Sequence, residues 1–378
     1  MSIERVSNRQ LFSMMVLFVI GSSLIVGVAA QVDVDKWIAI LIALVAAIPT
    51  TLIYIKLLSF FPEKNLFDIF PLVLGKWIGQ IFVVLYTWYA FHVGAMVLRN
   101  FGEFVNMMAM QETPMMVPML LMALTCVWMV KEGIEVLGRS AFFLLPIVIV
   151  IIVIVQLLCI PQFELQFLMP VLGEGWGPVF EAAFSTYTFP FAETVLVAAV
   201  FCCPKNKKVP YKTFVGGLAI GALIILMVTF RNILVLGATL KQNPYFPSYV
   251  AVGRIRIGDF LQRIEVTVSL VFVIGAFIKI GICLLAASYG VKKLAGLKDY
   301  RSVVLPIGIL MTLLGQILYQ NTMEMVQWAF DIYSYYALPF QLFLPLLLLI
   351  IAWIRNRREQ NETPQPQASS QPQKAAGG

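Results

Sequence analysis

Ten apolar stretches, each near the ~20 residues that a bilayer demands, divide this chain and leave it few folds to choose from. They run at about 11–30, 37–61, 77–102, 114–130, 138–160, 178–203, 211–236, 264–288, 302–321 and 335–354. Within lipid, every backbone polar group has to be satisfied inside the protein, so these runs predict an all-α, polytopic membrane protein of about ten helices. Composition agrees, since 60% of the 378 residues are hydrophobic and only 12% are charged, unlike a soluble domain of this size. The basic start, the first run and Val28-Ala29-Ala30 also outline a signal peptide, but the length of the run and the many spans behind it favour a first span.

Charge orients the spans. With both termini on the cytoplasmic side, eighteen of the 27 Lys and Arg fall in inner segments and five in outer ones, as the positive-inside rule requires. The +7 net charge is therefore a topology signal, and nucleic acid is not an expected partner; membrane lipid is. The other four cations, Lys56, Arg99, Arg231 and Lys279, lie within spans. Snorkelling to the interface accounts for the first three more easily than for Lys279.

Chemistry has little purchase elsewhere. One His and five Cys without a C-x-x-C spacing predict no metal, no cofactor and buried structural thiols; acylation at Cys202-Cys203 is a minor alternative. No nucleophile–base constellation appears, so an enzyme is not expected. Tyr89 and His92 share a face of the third span, where His92 reads either as a packing residue or as a proton relay. Residues 62–76 read as an amphipathic piece at the inner interface. The aromatic, Pro-containing stretch 237–263 reads as a lid over an outer vestibule or as a plain surface loop. Residues 355–378 read as a disordered cytoplasmic tail.

Two spans carry defects. In the sixth, Pro190 cannot donate a backbone hydrogen bond, so the helix has to bend or open there. Thr188 and Phe189 then expose backbone, and Glu193 follows at a depth where a carboxylate is costly and marks function. In the first, Gly21-Ser22-Ser23 interrupts the middle of the run; close small-residue packing is the bland alternative. The two are the first spans of successive five-helix halves, and matched interruptions point to an inverted-repeat transporter fold with its site at the repeat interface. Half-helices starting near Ser23 and Pro190 direct N–H groups at an anion. Glu193 and Lys279 each lie about 15 residues into spans of the same direction, roughly 22 Å along. They can therefore pair, directly or through a ligand; alternatively, Glu193 caps its own half-helix.

Several motifs in order are shared with a known family. They are Gly21-Ser22-Ser23, Leu74-Gly75-Lys76-Trp77-Ile78-Gly79, Met169-Pro170-Val171-Leu172-Gly173-Glu174-Gly175, Pro190 with Glu193, and Phe277-Ile278-Lys279-Ile280. Over about residues 5–358 the chain resembles the B subunits of the Ger-type nutrient germinant receptors, the spore germination permease family of the amino acid–polyamine–organocation superfamily. The resemblance implies a LeuT-like, five-plus-five inverted repeat with broken helices one and six. Its transmembrane domain spans 1–354, with repeats at about 11–160 and 178–354, ahead of the 355–378 tail. It also implies a small nutrient ligand (amino acid, sugar or nucleoside), an A-type membrane subunit and a lipoprotein C subunit as partners, and the inner spore membrane as location. It places Gly21, Tyr89, Lys279 and Cys283 at or near the ligand. The alternative on the same fold is a proton-coupled secondary transporter of amino acids, because fold does not fix function.

Overall fold

The computed structural model describes residues 6–202, 210–237, 246–254 and 264–362, with side chains as far as Asn356. Every regular element among them is helical. Eight helices are long and apolar enough to cross a membrane: Asn8–Val26, Lys36–Phe60, Lys76–Met108, Ile134–Gln162, Trp176–Val200, Tyr211–Leu236, Glu265–Ala295 and Thr322–Asn356. Two shorter helices, Met116–Glu132 and Arg301–Ile317, have 17 residues each and occupy the fourth and ninth of the expected positions. These ten are numbered below as spans one to ten. Span ten starts at Thr322 rather than near 335. Asn321 caps it by accepting from the Glu324 amide, and Glu324, Gln327 and Asp331 hide its first turns from a reading based on hydropathy.

Burial sorts the spans into a centre and a rim. In their most apolar stretches, spans one, six and eight are 78%, 89% and 83% buried, whereas spans five and ten are 22% and 28% buried. The rim presents Trp77, Trp128, Phe143 and Ile317, all largely exposed; lipid is the solvent that suits such a surface.

Span one is broken. Asn8–Ile20 opens with a Ser7 capping box and ends at Gly21; a second piece, Ser23–Val26, ends at Gly27 with φ +83°. The break coincides with a close crossing of span eight. A Cβ on Gly21 would lie 2.9 Å from the Gly275 carbonyl oxygen, and one on Gly275 would lie 2.7 Å from the Gly21 Cα. Only glycine at both positions permits that approach.

Span six breaks as well. Trp176–Thr186 is regular, but Phe189 adopts extended angles (φ −130°, ψ 114°) before Pro190. A tight turn, Ala192–Thr194, then leads into Val195–Val200. The second half-helix thus begins slightly beyond Pro190.

Two connections differ from expectation or refine it. Leu66–Leu74 is helical, but Leu66, Phe67, Ile69, Phe70 and Val73 are buried. Its apolar face is therefore covered by protein rather than by lipid. Asp68 meets Lys293 at 2.7 Å, and Arg355 donates to the Leu72 carbonyl at 2.7 Å. After span seven, Pro247–Gly253 packs on the second piece of span one, where Ser248 donates to the Leu24 carbonyl at 2.5 Å. Pro244, Tyr245, Cys203 and the tail from 363 onward lie outside the described residues.

Candidate ligand-binding site

The two breaks meet at Lys279 of span eight. Lys279 Nζ lies 2.5 Å from Glu193 Oε2, and both side chains are almost fully buried, 0% and 2% exposed. The same ammonium donates to Ser22 Oγ at 3.2 Å. It also sits over two aromatic rings, Phe18 at 5.1 Å and Phe189 at 4.8 Å from their centroids. The expected pairing at equal depth is therefore direct. Glu193 places its oxygens on Lys279 and on Tyr333, so the capping alternative drops out.

The other carboxylate oxygen accepts from the Tyr333 hydroxyl, and this fixes a chain of donors. Tyr333 spends its only proton on Glu193, so its oxygen accepts from Tyr89, 3.2 Å away. Tyr89 in turn accepts from Gln341 Nε2 at 2.8 Å. Gln341 also donates to the Thr188 carbonyl at 2.9 Å, the backbone that the break exposes. Thr188 Oγ1 bonds Ser334 Oγ at 2.8 Å. Tyr54 reaches the Ala192 carbonyl at 3.2 Å. Hydrogen bonds thus converge on Glu193 from span ten on one side and from span eight on the other.

The residues anticipated from sequence separate into three groups. Ser22, Phe189 and Glu193 each contact Lys279 directly. Gly21 and Pro190 act through the backbone, one by the close crossing and one by the missing N–H, while Tyr89 joins through Tyr333 and Thr188 through Gln341. Ser23 and Cys283 turn elsewhere. Ser23 Oγ donates to the Val19 carbonyl at 2.8 Å within its own helix. Cys283 Cβ lies 3.1 Å from where a Cβ on Gly94 would stand, beside Met311. Cys126, Cys159 and Cys283 are buried free thiols, and Cys202 is half-buried.

Tyr333, Ser334 and Gln341 of span ten also build the site, and sequence reasoning does not single them out. A Ser and a Gln within an apolar span are the available signal. His92 packs among Trp88, Trp328 and Tyr336, with ring centroids 5.6, 5.3 and 5.2 Å away, and its Nδ1 has no hydrogen-bond partner. The intramembrane arginines do not snorkel. Arg99 is buried against Glu103 at 2.8 Å and the Gln316 carbonyl at 2.8 Å. Arg231 is buried against Asn232 Oδ1, also at 2.8 Å. Local acceptors replace water for both, so neither has to reach the interface. Lys56 is exposed, as expected.

One cavity adjoins this centre and another opens at an end of the bundle. A small one of about 40 Å³ is lined by Phe189, Glu193, Tyr333, Trp328 and Asn100, together with Val26 at the far end of span one. A larger one of about 460 Å³ lies at the amino-terminal end of the bundle, between Val6, Arg139, Val200, Lys292 and Asp299.

Comparison with known proteins gives the lineage. Residues 5–324 match the sequence model of the family described as Spore germination protein. Spore germination protein KB of Bacillus subtilis (strain 168) is 30% identical over 367 residues, covering 95% of this chain and 97% of that protein. Among solved structures, Mhp1, a nucleobase-cation-symport-1 family transporter in a closed conformation with bromovinylhydantoin bound, aligns with a TM-score of 0.68 at 12% identity. That alignment covers 94% of this chain and 79% of Mhp1. MhsT in complex with L-phenylalanine aligns with a TM-score of 0.60 at 13% identity, covering 92% of this chain and 98% of MhsT. The two structures show a LeuT-like transporter fold; the sequence match shows that the chain belongs to the spore germination permease family, the B-type subunits of germinant receptors.

Proposed function

We propose that this chain is the nutrient-sensing subunit of a spore germination receptor and that it binds its germinant at the paired breaks of spans one and six. The observation that carries this reading is the buried Lys279–Glu193 pair with its train of donors. Buried ionic groups in a membrane span are expensive, and they persist where they serve a ligand or an ion. Gln341 Oε1, at the end of this train, is buried without a hydrogen-bond partner, which leaves acceptor capacity for a ligand. The solved neighbours, captured with bromovinylhydantoin and with L-phenylalanine, support a small-molecule ligand on this fold.

In this reading the two breaks belong to inverted repeats at about 11–160 and 178–354. Gly21, Ser22, Tyr89, Thr188, Phe189, Pro190, Glu193 and Lys279 surround or support the ligand, with Ser23 and Cys283 in the helix packing behind them. Binding shifts a conformational equilibrium, and an A-type membrane subunit and a lipoprotein C subunit sense that shift. The chain sits in the inner spore membrane with both termini cytoplasmic. A ligand-dependent rise in melting temperature of the purified chain, abolished by Gly21→Trp, is the expected result. A nutrient response that survives Gly21→Trp removes the site from the account.

A second reading, secondary transport, is favoured by the larger cavity at the end of the bundle where span one starts, which a ligand released from the site toward that side would use. Uptake of the nutrient into vesicles containing this chain alone distinguishes it from sensing.

A further inference from the structure

Lys279 occupies a seat that is complete without it. The groups around Nζ are the Glu193 carboxylate at 2.5 Å, the Ser22 hydroxyl at 3.2 Å, and the faces of Phe18 and Phe189 at 5.1 and 4.8 Å. All four come from spans one and six, the broken pair; only the occupant comes from span eight. One carboxylate, one hydroxyl and two ring faces form a shell that suits an ammonium ion, by charge, by hydrogen bonding and by cation–π attraction.

The cavity beside this seat shares Phe189 and Glu193 with it. At about 40 Å³ it holds water-sized occupants and no nutrient, since a single water needs roughly 10–15 Å³ of such space. A ligand entering here has to displace a side chain, and the side chain whose loss is most readily compensated is the one that the ligand can imitate.

We propose that Lys279 is a tethered stand-in for the ligand's own ammonium group. The site takes small molecules bearing a primary ammonium, and they bind by replacing Lys279 on Glu193. The biological use of this exchange rests on the sensing role above; the ammonium seat does not. Exchange of one ammonium for another keeps Glu193 paired throughout. A neutral sugar or nucleoside in the same place would strand a buried carboxylate and a buried ammonium together, which is prohibitive at low dielectric. The displaced Lys279 needs a new counter-charge, and a ligand that also carries a carboxylate supplies it. Displacement is itself the signal, because the ion pair that ties span eight to spans one and six then runs through the ligand.

Chemical rescue tests this. Lys279→Ala deletes the atoms of a propylammonium ion and leaves the shell in place. The purified K279A chain is expected to melt at a lower temperature than wild type. Propylammonium chloride should raise it again, saturably and by several degrees, whereas 1-propanol and sodium chloride at matched concentrations should not. K279A/E193Q, which lacks the carboxylate, should show no rescue. The proposal is overturned if propylammonium does not restore K279A, if the alcohol restores it equally, or if the double variant is rescued as well. It is also overturned if K279A cannot be recovered folded even with propylammonium present throughout purification. Rescue is independent of germination, so a rescued chain that senses no nutrient would count against the sensing role and leave the seat standing.

Discussion

Neutralising either partner of the central ion pair should be far worse than neutralising both. Lys279 and Glu193 are 0% and 2% exposed and 2.5 Å apart. Lys279→Met leaves the carboxylate with only Tyr333 as a donor; Glu193→Gln leaves the ammonium with the Ser22 hydroxyl, an amide oxygen and two ring faces. Breaking a buried pair from one side costs about 3–5 kcal/mol, whereas replacing both partners by uncharged groups of similar volume is often neutral. The double variant K279M/E193Q should therefore recover most of the loss, with a coupling energy of at least about 2 kcal/mol. That lies well above the ~0.3–0.5 kcal/mol scatter expected for independent sites. Denaturant unfolding of the four chains in one detergent measures it. Single variants within about 1 kcal/mol of wild type, or a double variant that loses the sum of both, would refute the argument that the pair is buried and mutually dependent.

Other perturbations follow from the same contacts. Gly21→Ala drives a Cβ to 2.9 Å from the Gly275 carbonyl oxygen, and backbone cannot give way there, so a loss of about 1–3 kcal/mol is expected in the same unfolding assay. Tyr333→Phe removes a donor to a carboxylate and should cost about 1.5–3 kcal/mol, whereas Tyr89→Phe, a neutral link further out, should cost about 0.5–1.5 kcal/mol. Equal losses would contradict the direction of the donor chain. Glu103 ties Arg99 of span three to Thr322 at the head of span ten, at 2.8 Å on each side, next to the small cavity. Glu103→Ala should free that end of span ten and speed thiol labelling of a cysteine placed at Asn100.

What was legible in the sequence is what physics makes rare. A proline and a glutamate inside an apolar run, and a lysine at matching depth in another, have few explanations in lipid, and they led to Glu193 and Lys279. Gly21 was legible because a glycine–serine cluster inside a span is costly unless something approaches the backbone, and Gly275 does. The contribution of span ten was not legible. Tyr333 and its neighbours lie in an aromatic run, Trp328–Tyr336, which looks like an interfacial belt, and Glu324 and Asp331 pushed the apparent start of the span past Tyr333. The two buried arginines are not legible because hydropathy carries no information about local acceptors; Glu103, Asn232 and the Gln316 carbonyl reach them only through the packing of the helices. The stretch 62–76 reads as an interfacial amphipathic piece for the same reason: amphipathicity shows that a face is covered, not by what, and in Leu66–Leu74 the cover is protein.

The most direct test is a structure of the chain saturated with a nutrient that raises its melting temperature. The account predicts the nutrient between Gly21–Ser22 and Phe189–Glu193, with its ammonium on Glu193 and the Lys279–Glu193 contact opened beyond ion-pair distance. A nutrient bound elsewhere, with that 2.5 Å contact intact, would contradict it.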